Sequence, residues 1–156
     1  MMFGYDVCTY LRQYHSHWDD TVVTDGFHLN MGGLSASCPD TGESLYLNQV
    51  TNDTINCICV YETGGYSPLR FHGTEKPFDN PTAQVRIRHA SLRVAEMTAD
   101  RIHELLDEIY HEIINGHYYL KINAAANPAY IGCDQVTTAG KAYEFVLNLN
   151  STVKRL

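Results

Sequence analysis

The sequence predicts an α+β domain: a mostly antiparallel β-sheet with an N-terminal helix and one long helix packed on it. Three observations carry this reading. Segments such as Ala83–His89 and Tyr143–Asn150 alternate apolar and polar residues with a period of two. Two other segments repeat apolar residues at steps of three and four, one at the N-terminus and one after Ser91. The order along the chain is helix, strands, long helix, strands, with no internal repeat and no linker, so residues 1–156 read as one domain.

Each element follows from its own pattern. Phe3, Val7, Tyr10, Leu11 and Tyr14 share one face of a short amphipathic helix, which ends near the polar run His15 to Asp20. Phe27, Leu29 and Met31 alternate with His28 and Asn30, giving a half-buried strand stopped by Gly32-Gly33. Leu34 to Asp53 is rich in Ser, Asp, Gly, Asn and Thr and reads as a loop, with room for a short strand at Ser44 to Leu47. Ile55 to Tyr61 is apolar on both faces, as a central strand is, and Gly64-Gly65 reads as its stop. Tyr66 to Pro81 contains Pro68, Pro77 and Pro81, which exclude a helix or a central strand. An irregular loop of that length (about 64–82) is functional or disordered in a small domain.

Ala83 to His89 then places Val85 and Ile87 on one strand face, with Gln84, Arg86 and Arg88 on the other. The long helix is expected from about Ser91 to Ile114. Ala95, Ala99, Ile102, Leu106, Ile109 and Ile113 form its buried stripe, and Asn115-Gly116 its C-terminal stop. The expected core sets Ile102, Leu106 and Ile109 against Val85, Leu120, Phe145 and Leu147. Tyr118, Leu120 and Ile122 alternate with Tyr119, Lys121 and Asn123. A bend at Ala124 to Pro128, a segment Ala129 to Cys133 and a turn region Asp134 to Gly140 lead to the final strand, with Tyr143, Phe145, Leu147 and Leu149 on one face.

Composition narrows the function. Eleven basic residues against eighteen acidic ones leave a net charge of −7, which disfavours a surface that grips phosphate backbones. No apolar run approaches the length of a membrane span, and the first residues lack the basic and apolar regions of a secretory signal. Five cysteines, an odd number without a CxxC pair, suit a reducing compartment with buried thiols. Eleven tyrosines suit interfaces, where the ring packs and the hydroxyl stays wet.

Candidate chemistry is sparse. His15 and His17 with Asp19 and Asp20 have imidazole and carboxylate groups suited to zinc, yet they also read as a solvated helix end. Cys57 and Cys59 share one strand face as a redox or metal pair, or as small core residues. A cysteine nucleophile with one of eight histidines as base is formally open, but no local nucleophile signature surrounds a cysteine. Glu104, Asp107, Glu108 and Glu112 read as the solvated face of the long helix rather than a metal cluster. Arg86 and Arg88 pair either with carboxylates of a neighbouring subunit or with acidic residues of the same domain, or simply face water. There is no Walker-type loop and no dinucleotide glycine fingerprint.

One resemblance joins these segments. The strand Ala83–His89 runs into a helix ending Leu105-Leu-Asp-Glu-Ile-Tyr110, followed by Asn127-Pro-Ala-Tyr-Ile-Gly-Cys-Asp134 and Tyr143-Glu-Phe-Val-Leu-Asn-Leu-Asn150. This order resembles the minor-capsid or tail-terminator family of long-tailed bacteriophages. Tyr10-Leu11 and Val60–Gly65 fit it more loosely, and Cys133 stands where the family favours a basic residue after the Ile-Gly pair.

The resemblance implies a structural virion protein of the tail and neck, assembled in the host cytoplasm, without catalysis or cofactor. It implies a ring, a hexamer, that caps the tail tube and meets the head-completion or connector protein, with DNA passing through the lumen unbound. Another neck or tail-tube subunit, or a small cysteine-dependent hydrolase, is the alternative. Candidate interface residues are Tyr66, Arg70, Phe71 and Phe78 of the Pro-containing loop, Arg86 and Arg88 of the strand, and Pro128 and Tyr130.

Overall fold

A computed structural model describes residues 3–14, 28–30, 33–37, 44–47, 57–66, 78–107, 109–136 and 140–154. Helix α1 spans Phe3–Tyr14, and the strands β1 (His28–Asn30), β2 (Gly33–Ser37), β3 (Ser44–Leu47), β4 (Cys57–Tyr66) and β5 (Phe78–His89) follow. Helix α2 covers Leu92–Leu106. Strands β6 (Ile109–Ile114), β7 (His117–Ala124), β8 (Ala129–Val136) and β9 (Gly140–Lys154) complete the fold. The described strands form one sheet in the order β1-β2-β3-β4-β5-β9-β7-β6, with β8 also on β9. Every pair is antiparallel except β3 with β4, so the α+β, mostly antiparallel reading holds.

The 15-residue β9 organises the sheet. One edge pairs with β5; the other pairs with β8 along its first half and β7 along its second. β7 and β8 therefore run in line, separated by the bend at 125–128, where the Ala125 amide donates to the Asn148 carbonyl at 2.8 Å. Both helices contact the sheet and each other, α1 through β3, β4 and β5, α2 mainly through β9 and β5. Phe3, Val7 and Leu11 of α1 and Ala95, Ala99, Ile102 and Leu106 of α2 are buried in one core with Ile58, Val60, Val85, Ile87, Leu147 and Leu149.

Ser91 caps α2 as its type favours: its side chain accepts from the Val94 amide at 3.4 Å. The helix is shorter than its pattern. Asp107 turns to extended backbone (φ −79, ψ 140), and Ile109–Ile114 is a strand. The sequence Ile-Tyr-His-Glu-Ile-Ile is rich in β-formers. It also precedes Asn115-Gly116, whose φ values of 51 and 82 make the two-residue hairpin turn into β7 rather than a helix stop. Ile109 stays buried, but Ile113 is 66% exposed. Irregular backbone moves other faces: His111 has φ 53, and a register shift between Tyr119 and Lys121 puts Tyr119 and Ile122 in the core, leaving Leu120 only half-buried.

The glycine pair does not end β4. The strand continues to Tyr66, with a bulge between Glu62 and Gly64. Gly65 lies so close to β5 that a Cβ there would run into the Asn80 carbonyl oxygen. Pro81 is likewise inside a strand. The β5·β9 ladder is interrupted at Asn80–Pro81, and side chains bridge the gap: Ser151 Oγ donates to the Pro81 carbonyl at 2.8 Å, and Thr152 Oγ1 to Asn80 Oδ1 at 3.1 Å. Gly33–Ser37 is a strand within the segment read as loop, hydrogen-bonded to β1 and β3, while Ser44–Leu47 is the expected short strand.

Leu106 is fully buried in this core. Leu106→Ala is expected to lower unfolding free energy by about 2–5 kcal/mol in urea titration. A loss near zero would mean that α2 does not seat Leu106 against the sheet.

Candidate interaction surfaces

The most connected polar cluster joins helix to hairpin. Asp6 is fully buried in the first turn of α1, where a carboxylate is favoured by the helix dipole. Asn115 Nδ2 donates to its Oδ1 at 2.8 Å, and His117 Nδ1 lies 2.8 Å from its Oδ2, with the buried Tyr119 hydroxyl donating to the same oxygen. Asn115 Nδ2 also reaches Thr9 Oγ1 at 2.9 Å. A second tie comes from β4, where Glu62 Oε1 accepts from the Gly4 amide at 2.9 Å. Burial, then the bond to Asp6, pushes the Tyr119 ionisation far upward, so the phenol keeps the proton it donates. Sequence reasoning missed this cluster. Asp6 and His117 are 111 residues apart, and a lone aspartate in a helix's first turn gives no hint of a partner.

Of the described cysteines, Cys8, Cys57 and Cys59 are buried and Cys133 is exposed. Cys57 and Cys59 are buried and alternate with the core residues Ile58 and Val60. Burial pushes the Cys8 thiol well up, the reverse of what a thiolate nucleophile needs. Among the described residues no group of three or more His, Cys, Asp or Glu side chains is arranged to hold a metal. His15, His17, Asp19 and Asp20 lie outside the described residues.

The four acids do not form one helix face. Glu104 is exposed and pairs with Arg101 at 3.9 Å. Asp107 ends α2, and its Oδ1 accepts from the Ala124 amide at 3.3 Å. Glu112 is on β6 opposite Tyr119, and the side chain of Glu108 lies outside the described residues.

The sheet face away from the core carries the two strand arginines. Arg86 Nε donates to Gln84 Oε1 at 2.8 Å, and its guanidinium lies 5.4 Å from the Tyr61 ring centre. Gln84 in turn donates to Asn148 Oδ1 at 3.1 Å, while Arg88 lies 3.9 Å from Glu144. Both arginines thus have partners in their own chain. Tyr61 ionisation is raised to about 12, chiefly by burial and by its bond to Cys59.

Of the other interface candidates, Tyr66 pairs with Asn80 at the end of β4, and Phe78 is half-buried opposite Lys154. Pro128 is half-buried in the bend before β8, and Tyr130 is 51% exposed, its ring 5.4 Å from that of Phe145. Arg70 and Phe71 lie outside the described residues. Four large apolar side chains that the pattern did not single out together stand at the sheet margin: Tyr110 and Ile113 on β6, Tyr130 and Ile131 on β8. Ile113 was hidden because the helical spacing assigned it to a buried stripe.

These surfaces belong to an α+β protein in which a buried polar cluster ties helix to hairpin and apolar side chains gather at a sheet margin. The family model for the bacteriophage tail terminator protein matches residues 35–155, which include β5, α2 and β6 to β9. The chain belongs to the bacteriophage tail terminator family and has a structural role in a phage tail. Comparison with curated proteins found no match.

Proposed function

We propose that this chain ends growth of the tail tube as a ring of identical subunits, a hexamer, and offers its other face to the head-completion or connector protein. The observation that carries the reading is the family match across residues 35–155. The physical logic supports it. A tube grows because each ring presents the next with an equivalent surface, a heterologous contact that does not close on itself. A terminator matches that surface on one side and differs on the other, so it binds once. Repeated weak contacts around a ring supply the affinity, and no covalent chemistry or cofactor is needed.

In this reading the protein belongs to the tail and neck of the virion and is assembled in the host cytoplasm. DNA passes through the bore without specific binding. An acidic lumen serves that passage, because basic side chains would hold the duplex through counterion release. Glu96, Asp100 and Glu104, exposed along α2, are the candidate lining. Tyr66, Arg70, Phe71, Phe78, Pro128 and Tyr130 are the candidate contacts with tube and neighbours.

Deleting the gene from the phage is expected to yield tails of uncontrolled length that do not join heads, seen by electron microscopy. Tails of normal length attached to heads would contradict the proposal.

A further inference from the structure

Among the described residues, β8 pairs only with β9 and β6 only with β7, so both strands stand at a sheet margin. The same strands hold four of the six exposed large apolar side chains among the described residues: Tyr110 at 57%, Ile113 at 66%, Tyr130 at 51% and Ile131 at 47%. An unpaired strand edge is a template for strand addition, and soluble proteins usually guard it with lysine, proline or a covering element. From Ala129 to Cys133, β8 carries a bulge between Tyr130 and Gly132 but no charged side chain or proline, and among the described residues no element covers it: Ala129, Tyr130, Ile131 and Cys133 are exposed and Gly132 partly so.

Charge selects the occupant. The chain carries −7, so two copies repel over most of their surfaces. The five-residue run Ala-Tyr-Ile-Gly-Cys has no charge at all, which gives like-charged copies a strip on which to meet. A basic partner would gain nothing from this strip and would favour the acidic side chains of α2. The sheet also has unlike ends, β1 on one side and the β6 and β8 margin on the other, as a head-to-tail joint requires.

We propose that the β8 edge at Ala129–Cys133 is the joint between neighbouring copies of this chain, made by a strand of a second copy adding to it and covering Tyr130 and Ile131. Tyr110 and Ile113 extend the apolar contact along β6. The proposal rests on the ring reading and locates its subunit contact.

The test is self-association of the purified chain, alone and on tail tubes, by sedimentation velocity and electron microscopy. Ile131→Lys puts an edge-guarding charge on an exposed side chain and should leave circular dichroism and the thermal midpoint unchanged. It should weaken association at least about tenfold, the loss of one central contact. Met97→Lys, on the exposed side of α2, should associate like the parent chain.

Cys133 gives a second readout in a Cys38→Ser background. Its maleimide labelling should slow at least about tenfold when subunits assemble, as burial of a reactive thiol requires. The proposal is overturned if Ile131→Lys assembles normally, if Met97→Lys fails equally, if Cys133 labels at one rate in both states, or if the parent chain remains monomeric even on tubes. These outcomes are separate from tail length in the gene deletion, which judges the terminator reading itself.

Discussion

Asp6→Ala is expected to cost the domain about 3–5 kcal/mol, because it removes a buried acceptor that takes three hydrogen bonds from side chains of the hairpin. That is a large part of the 5–15 kcal/mol that typically holds a domain folded. The carboxylate is wholly buried and accepts from Asn115, His117 and Tyr119. Alanine would remove the acceptor of the buried Tyr119 hydroxyl and loosen the hairpin turn from α1. Asp6→Asn keeps an acceptor oxygen and should cost clearly less. Urea unfolding of both variants, followed by tyrosine fluorescence and circular dichroism, checks the ordering. A cost below about 1 kcal/mol for Asp6→Ala would match a surface contact and would mean that α1 does not dock on the hairpin in solution.

The sequence made some elements legible and concealed others for physical reasons. β5 and β9 alternate over many residues, and their buried positions Val85, Ile87, Phe145, Leu147 and Leu149 are those the period of two assigns. Ser91 marked the start of α2 because its hydroxyl serves the helix amides. The end of α2 was concealed because Ile109 and Ile113 continue the three-and-four spacing of Ile102 and Leu106 by coincidence. Asn115-Gly116 held the contrary signal, since that dipeptide is suited to a hairpin turn with both φ values positive.

Pro81 misled for a different reason. The ladder break that accommodates it depends on Ser151 and Thr152, 70 and 72 residues from their partners. At the margin, Tyr130 was legible from the short segment after Asn127-Pro128. Tyr110 and Ile113 were not, because strand and helix readings of the same residues give opposite burial. The bulge on β7 reverses the faces of Tyr119 and Leu120, a change that alternation alone does not register.

In the proposed function, binding of this chain stops a growing tube. Because the stop is a matter of surface occupancy, purified protein should act without any other head component. Tail tubes growing from isolated tube protein, measured by electron microscopy, should cease to elongate once this chain is added in slight excess over tube ends. Each stopped end should carry one added ring, and the stopped tubes should then accept heads. The effect should saturate with the number of ends rather than with total tube length, since a terminator has no site along the wall. Tubes that keep elongating at the same rate with the protein in excess, or that incorporate it along their length, would contradict the account.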